Sequence, residues 1–157
     1  MIHFIPPGGD MFQDAYQYDC IVNTVNTTGV MGAGIAKKCI EKYPIPCEMF
    51  NYLCRRDRLD GGTIRIYPNY NLEKGQNPKY ICMFATKQEV NNPAEYVYVE
   101  QGLKTLVERI QSLRIGSIAI PPLGCGYGGL DWAEVKPMIL EAIEPIKDTC
   151  EIYIYEQ

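Results

Sequence analysis

Two glycine-rich stretches and one lysine are the residues of this 157-residue chain whose types and spacing suit chemistry. The first stretch, "VNTVNTTGVMGAGIAKKC" over residues 22–39, sets Gly29, Gly32 and Gly34 between a β-type run and a helical pattern. Free backbone N–H groups and the positive end of a helix dipole face the same spot in such a turn, a combination that receives anions. The second, "PPLGCGYGGLDW" over 121–132, follows a short apolar strand and precedes a helix that Asp131 can cap. Either loop alone could serve only as a tight turn. As a pair at C-terminal strand ends they could close on the two phosphates of a diphosphate. The first spacing, Gly-x-x-Gly-x-Gly, is not the dinucleotide fingerprint, and no Gly-Lys-Ser/Thr follows to make a P-loop, so both of those nucleotide folds are disfavoured. Lys87 directly follows an apolar strand, where parallel sheets gather reactive groups. A partly desolvated amine there could act as a nucleophile, and a charged one could stabilise a leaving group.

The elements that must position these residues alternate between β-rich runs and helical patterns. "IHFI" and "CIVNT" come first, then helices over about Ala33–Tyr43 and Pro46–Arg56. "TIRIY", "YICMFA", a long helix over about Pro93–Leu113, "SIAIP", a helix over Asp131–Lys147 and "CEIYIY" follow. That order predicts an α/β sandwich with a largely parallel sheet. In the last helix Trp132, Val135, Ile139, Ala142, Ile143 and Ile146 form one apolar stripe. Asp131 and Glu134 make a capping-box pattern, and Pro137 should remove one hydrogen bond and bend the helix. Residues 68–79, polar and turn-rich, read as an exposed connection.

Composition bounds the class. One domain over residues 1–157 is expected, and at this size it buries roughly 70% of the surface its unfolded chain exposes. Hydrophobic residues at 46% and charged residues at 22% suit a globular protein and exclude a disordered or fibrous one. Apolar runs fall far short of the ~20 residues that cross a bilayer, and "MIHFIPPGGD" lacks a basic start and a long apolar segment. An unprocessed cytoplasmic protein is expected. Seven cysteines, with no Cys-x-x-Cys, suit reduced core thiols, and with His3 the one histidine, a plain strand residue, neither a metal site nor a cofactor is expected. A net charge of −4 supplies no overall basic field for nucleic acid, although a local patch could exist.

"GDMF", "VNTVNTTGVMGAGIA", "FATK" and "IPPLGCGYGGLDW", in this order and at these separations, resemble a macrodomain, the α/β/α module that binds ADP-ribose. More narrowly, they are similar to the DarG-like DNA ADP-ribosyl glycohydrolase antitoxins. The resemblance spans essentially the whole chain and implies three α/β/α layers around a central mixed, largely parallel sheet. It implies that Asp10, with Met11 beside it, receives the adenine amino group, that Asn26 holds the distal ribose, and that Asn23 braces the loop. Gly32, Gly34 and Ile35 would contact the diphosphate from one side, and Gly124, Cys125, Gly126, Tyr127 and Gly128 from the other. The essential lysine after the Thr of the "TK" pair is here Lys87, implied to be catalytic together with Asn26. The implied activity removes ADP-ribose from a thymidine base of single-stranded DNA, reversing toxin-type modification. Hydrolysis of ADP-ribose esters or ADP-ribose 1″-phosphate, and non-catalytic reading of ADP-ribose, are the alternatives. The implied partners are ADP-ribose, ADP-ribosylated single-stranded DNA and a cognate ADP-ribosyltransferase toxin, with no membrane and a monomeric chain expected.

Two departures qualify the resemblance. A related branch that removes ADP-ribose from proteins pairs the lysine with an aspartate of the second loop, and Gly128 stands at that position. The antitoxins usually carry several basic residues after the "TK" pair, whereas "QEVNNPAEYVYVEQ" follows here. DNA phosphates would then need Lys37, Lys38, Arg55, Arg56 and Arg58, or stacking by Tyr96 and Tyr98, to compensate. The toxin-binding region of the full antitoxins lies outside these 157 residues, which leaves an excised catalytic domain or a standalone protein as the expectations.

Overall fold

A computed structural model describes residues 1–70, 73 and 76–157. The exposed connection expected over 68–79 falls partly on positions 71, 72, 74 and 75, which lie outside the described residues. The strands are β1 (Ile2–Ile5), β2 (Cys20–Val25), β3 (Ile64–Pro68), β4 (Tyr80–Ala85), β5 (Ser117–Ile120) and β6 (Glu151–Tyr155). The helices are α1 (Met11–Asp14), α2 (Gly34–Lys42), α3 (Pro44–Arg56), α4 (Tyr96–Leu113) and α5 (Trp132–Ile143). One sheet runs in the order β1-β6-β5-β2-β4-β3, parallel throughout except that β3 pairs antiparallel with β4. The three-layer fold expected from the sequence is present.

Period-two alternation divides the core. Cys20 and Val22 of β2 pack with α4 and α5, whereas Ile21 and Val25 pack with α1, α2 and α3. Asn23 shares the second face, fully buried. Its amide nitrogen lies 3.5 Å from Sδ of Met83 and 3.9 Å from Sγ of Cys47, both weak acceptors, and its carbonyl oxygen has no donor among the described residues. Asn23 therefore does not brace the glycine-rich loop. It sits in mid-strand, facing α3.

Several element ends differ from the sequence reading, each for a local reason. The long helix starts at Tyr96 rather than Pro93 because the chain is still extended at Glu95 (φ −131°, ψ 140°), where the N–H groups of Ala94 and Glu95 tie it to the carbonyls of Gly128 and Thr86. The last helix continues through Pro137 and changes to a 3-10 turn over Glu144–Ile146. Pro145 has no N–H to continue it. Asp131 caps that helix through the Ala133 N–H, but the capping box is not closed from Glu134. The Asp131 N–H donates to the Tyr96 hydroxyl at 3.1 Å. The short helix α1, capped by Asp10, was hidden inside the "GDMF" motif.

Candidate active site

The cleft follows from the topology. β2 and β5 are neighbours, but the chain leaves β2 for α2 on one face of the sheet and leaves β5 for α5 on the other. Such a reversal opens a crevice at the C-terminal ends of the strands. The crevice encloses about 230 Å³. Gly32, Gly34, Ile35 and Ala36 line one wall, Gly124, Gly126, Tyr127 and Gly128 the other, and Asn26, Thr86 and Lys87 lie between them.

The first wall is an open helix start. Ala33, the N-cap of α2, offers no side-chain acceptor, so the first-turn amides of α2 carry their partial positive charge into the cleft. Gly34 has φ 59°, the left-handed region, and a Cβ there would stand 3.1 Å from the Tyr127 ring. Tyr127, 81% exposed, therefore reaches across from the opposite loop. The second wall is a run of turns. Cys125 N–H donates to Pro122, Gly129 N–H to Gly126 and Leu130 N–H to Gly124, whereas the amides of Gly126, Tyr127 and Gly128 donate to no backbone carbonyl among the described residues. Helix α5 contributes no bare terminus here, since Asp131 caps it.

Asn26 and Lys87 are brought together by parallel pairing. Val25 is in register with Ala85, and the Thr86 N–H donates to the Val25 carbonyl, so the two chains leave the sheet side by side. Asn26 is the residue that braces its own loop. Its carbonyl accepts from the backbone N–H and hydroxyl of Thr28, both at 3.0 Å, and its amide donates to the Val30 carbonyl at 2.9 Å. Lys87 is half-buried, with Nζ donating to the Val90 carbonyl at 3.1 Å.

Asp10, Met11 and Cys125 are not in the cleft wall. One Asp10 carboxylate oxygen accepts from the Phe12 and Gln13 N–H groups, which leaves the other available. The Met11 side chain is in the core. The Cys125 thiol donates to the Leu123 carbonyl, and burial, with a smaller push from Asp131, raises its pKa to about 11. It stays protonated and inert at neutral pH.

Sequence reasoning missed Gln88. Its carbonyl accepts from both the N–H and the hydroxyl of Thr27, while its side chain donates to the Leu59 carbonyl and accepts from the Gly61 N–H. One residue beside Lys87 thus ties the first loop to the turn between α3 and β3. Only the register of β2 with β4 could have signalled it. The aromatic pair at 96 and 98 is committed elsewhere: the Tyr96 hydroxyl to Asp131, and the Tyr98 ring to Gly61, where a Cβ would stand 2.5 Å from it.

A parallel-rich α/β/α sheet with two glycine loops facing each other across a switch point defines a class, and the Macro domain family model matches residues 22–139. The chain belongs to the Macro domain family. It is 44% identical over 138 residues to the DNA ADP-ribosyl glycohydrolase of Thermus aquaticus, a match that covers 88% of this chain and 37% of that protein. The macrodomain of Thermus aquaticus DarG superposes with a TM-score of 0.88 at 41% identity, covering 100% of this chain and 99% of that one. A Thermosipho africanus protein, a DNA ADP-ribosyl transferase-DNA ADP-ribosyl glycohydrolase fusion, is 30% identical over 93% of this chain and 40% of its own length. The solved Thermosipho africanus DarTG in complex with ADP-ribose gives a TM-score of 0.84 at 29% identity, over 98% of this chain and 41% of that one. The chain thus spans about two fifths of the length of these curated relatives.

Proposed function

We propose that this chain, a single domain over residues 1–157, is an ADP-ribosyl glycohydrolase that removes ADP-ribose from a thymidine base of single-stranded DNA. The observation that carries the reading is the cleft itself, with bare amides on both walls and Lys87 beside Asn26 between them. The amides of Gly34 and Ile35, with those of Gly126, Tyr127 and Gly128, would hold the diphosphate. Asp10 would receive the adenine amino group. It lies in the segment between β1 and α1, beside Tyr155 of β6 and on the far side of β5 from Asn26, so an extended ligand is needed to reach both. Asn26 would orient the distal ribose, and Lys87 would act at its anomeric carbon. In the hydrolysis the bond from that carbon to the base nitrogen breaks, water supplies hydroxide to the carbon, and the nitrogen takes the proton. The enzyme's share is to position both partners and to stabilise charge on the departing base.

The second loop favours a nucleobase over a protein acceptor. A Cβ at Gly128 would lie 2.5 Å from the Gly124 carbonyl oxygen and 2.6 Å from Cβ of Ala94, so the loop has no room for an aspartate. The relatives' names support the DNA acceptor, and the fusion partner in the Thermosipho protein supports a cognate ADP-ribosyltransferase. The seven buried, unpaired thiols suit the reducing cytoplasm we propose as its compartment.

Three substrates test the reading: an ADP-ribosylated single-stranded oligonucleotide, a glutamate-linked ADP-ribosyl protein and ADP-ribose 1″-phosphate. Free ADP-ribose should appear from the oligonucleotide at least about tenfold faster than from the others, an extra barrier of ~1.4 kcal/mol for the wrong acceptors. Faster release from the protein or the phosphate would replace the DNA assignment, and binding without any release would make the domain a reader.

A further inference from the structure

Beyond the ADP-ribose cleft, one surface joins exposed aromatic rings to unpaired cations. A shallow apolar groove between α3 and β3 is lined by Ile45, Glu48, Met49, Tyr52, Leu53 and Tyr67. Ile45, Met49 and Tyr52 follow one another at helical spacing, and Arg56 continues that stripe by one more turn. Tyr52 is 60% exposed and Tyr70 is 52% exposed, unusual values for side chains of that size. Arg65 and Tyr67, two residues apart, share the α3 side of the sheet's edge strand, and the Tyr67 hydroxyl lies within the field of Arg65 and Tyr70.

Helix α3 and the turn that follows it pack against the first glycine loop and the segment beside Lys87. A Cβ at Gly29 in the first loop would meet the Asn51 carbonyl at 2.9 Å and the stem of Arg55 at 3.5 Å. The α3–β3 turn, which carries Arg58, is fastened to Gln88 beside Lys87. Arg55, Arg56, Arg58 and Arg65 are all exposed, and among the described residues none is within 4.0 Å of a carboxylate. Glu48 lies in the groove a full two turns before Arg56, and Asp60 is turned toward Tyr98 on the opposite face. Exposed Asp57 sits among these arginines, so the four cations face three acids, Glu48, Asp57 and Asp60, a small local positive excess in a chain of net charge −4.

Cations with open aromatic faces suit single-stranded nucleic acid, whose phosphates take the charge and whose bases stack without sequence preference. We propose that the nucleotides flanking the modified one run along this groove, phosphates on Arg55, Arg56 and Arg65 and bases against Tyr52 and Tyr67; the inference rests on the DNA-acceptor reading above. Of the compensations open to the sequence, this one draws on the arginines of the 55–58 segment together with rings on α3 and β3 rather than on Tyr96 and Tyr98.

The test uses an unmodified single-stranded oligonucleotide of roughly 15 nucleotides, long enough to span the groove, followed by fluorescence anisotropy at low salt. The wild-type chain should bind it, more weakly as salt rises, and the double variant Tyr52→Ala with Arg56→Glu should lose at least about tenfold in affinity. The same variant should raise KM for a long ADP-ribosylated oligonucleotide and leave release from ADP-ribosylated thymidine monophosphate unchanged. No binding by the wild type, equal binding by the variant, or equal losses on the long and the mononucleotide substrates would overturn the inference. Failure of the glycohydrolase reading would instead appear as no release from either modified substrate, whatever the anisotropy shows.

Discussion

Residues of one type take opposite roles three positions apart. From their motif Asn26 reads as the ribose ligand and Asn23 as a brace for the loop, yet Asn23 faces sulfur in the core while it is Asn26 that folds its side chain into the loop. The strand's alternation could place Asn23 on a buried face. It could not say that Asn26 would spend its amide on Thr28 and Val30, because that depends on the loop's own turn. Gly128 is the converse, a position whose meaning is its lack of a side chain. Restoring the aspartate by Gly128→Asp forces Cβ to 2.5 Å from a backbone oxygen, and overpacking of this kind costs roughly 1–3 kcal/mol. Urea denaturation should show that loss, and the variant should gain no release from glutamate-linked ADP-ribose. Activity on the protein substrate without loss of stability would mean the loop is more open than its geometry implies.

Elements were the most legible scale. The runs "CIVNT", "YICMFA" and "SIAIP" are apolar enough to mark strands covered on both faces, and the strands observed there are buried as that requires. What the runs could not reveal is how neighbouring elements fasten one another. The start of α4 is set by Thr86 and Gly128, far along the chain, and its approach to the sheet is set by Gly102, where a Cβ would stand 2.4 Å from the Phe84 ring. Gly102→Ala therefore puts two effects in competition. Alanine gains about 1 kcal/mol of helix propensity over glycine, and the clash with a fully buried ring costs roughly 1–3 kcal/mol. The clash should win, lowering stability by up to about 2 kcal/mol in chemical denaturation. A rise in the midpoint would show that α4 can shift outward freely.

At the scale of the molecule, charge and thiols set the working range. Burial holds the Cys20, Cys82, Cys125 and Cys150 thiols above their usual pKa of 9.0, Cys125 and Cys150 at about 11. The unfolded chain loses those protons first, so above pH 9 it binds fewer protons than the folded chain and stability falls as pH rises. The contribution is complete below pH 9; the part from Cys125 and Cys150 is lost as pH rises through about 11, and that from Cys20 and Cys82, which are held higher, goes on falling above it. Melting under reducing conditions should give a Tm flat with respect to these groups from pH 7 to 8 and declining between about pH 9 and 11. A Tm unchanged to pH 11 would contradict the burial of these groups. The domain's layers and both glycine loops could be read in the sequence. The groove between α3 and β3 could not, because it unites side chains from a helix and an edge strand that meet only in the folded sheet.

Lys87 is where the account is most exposed, and Lys87→Ala measured two ways tests it directly. Calorimetry with ADP-ribose should give a Kd within about threefold of wild type, since the diphosphate is held by backbone amides, a difference under ~1 kcal/mol. Release from an ADP-ribosylated single-stranded oligonucleotide should fall by about a hundredfold or more, the scale of a lost general acid, base or charge stabiliser. Turnover retained at the wild-type rate would contradict the account.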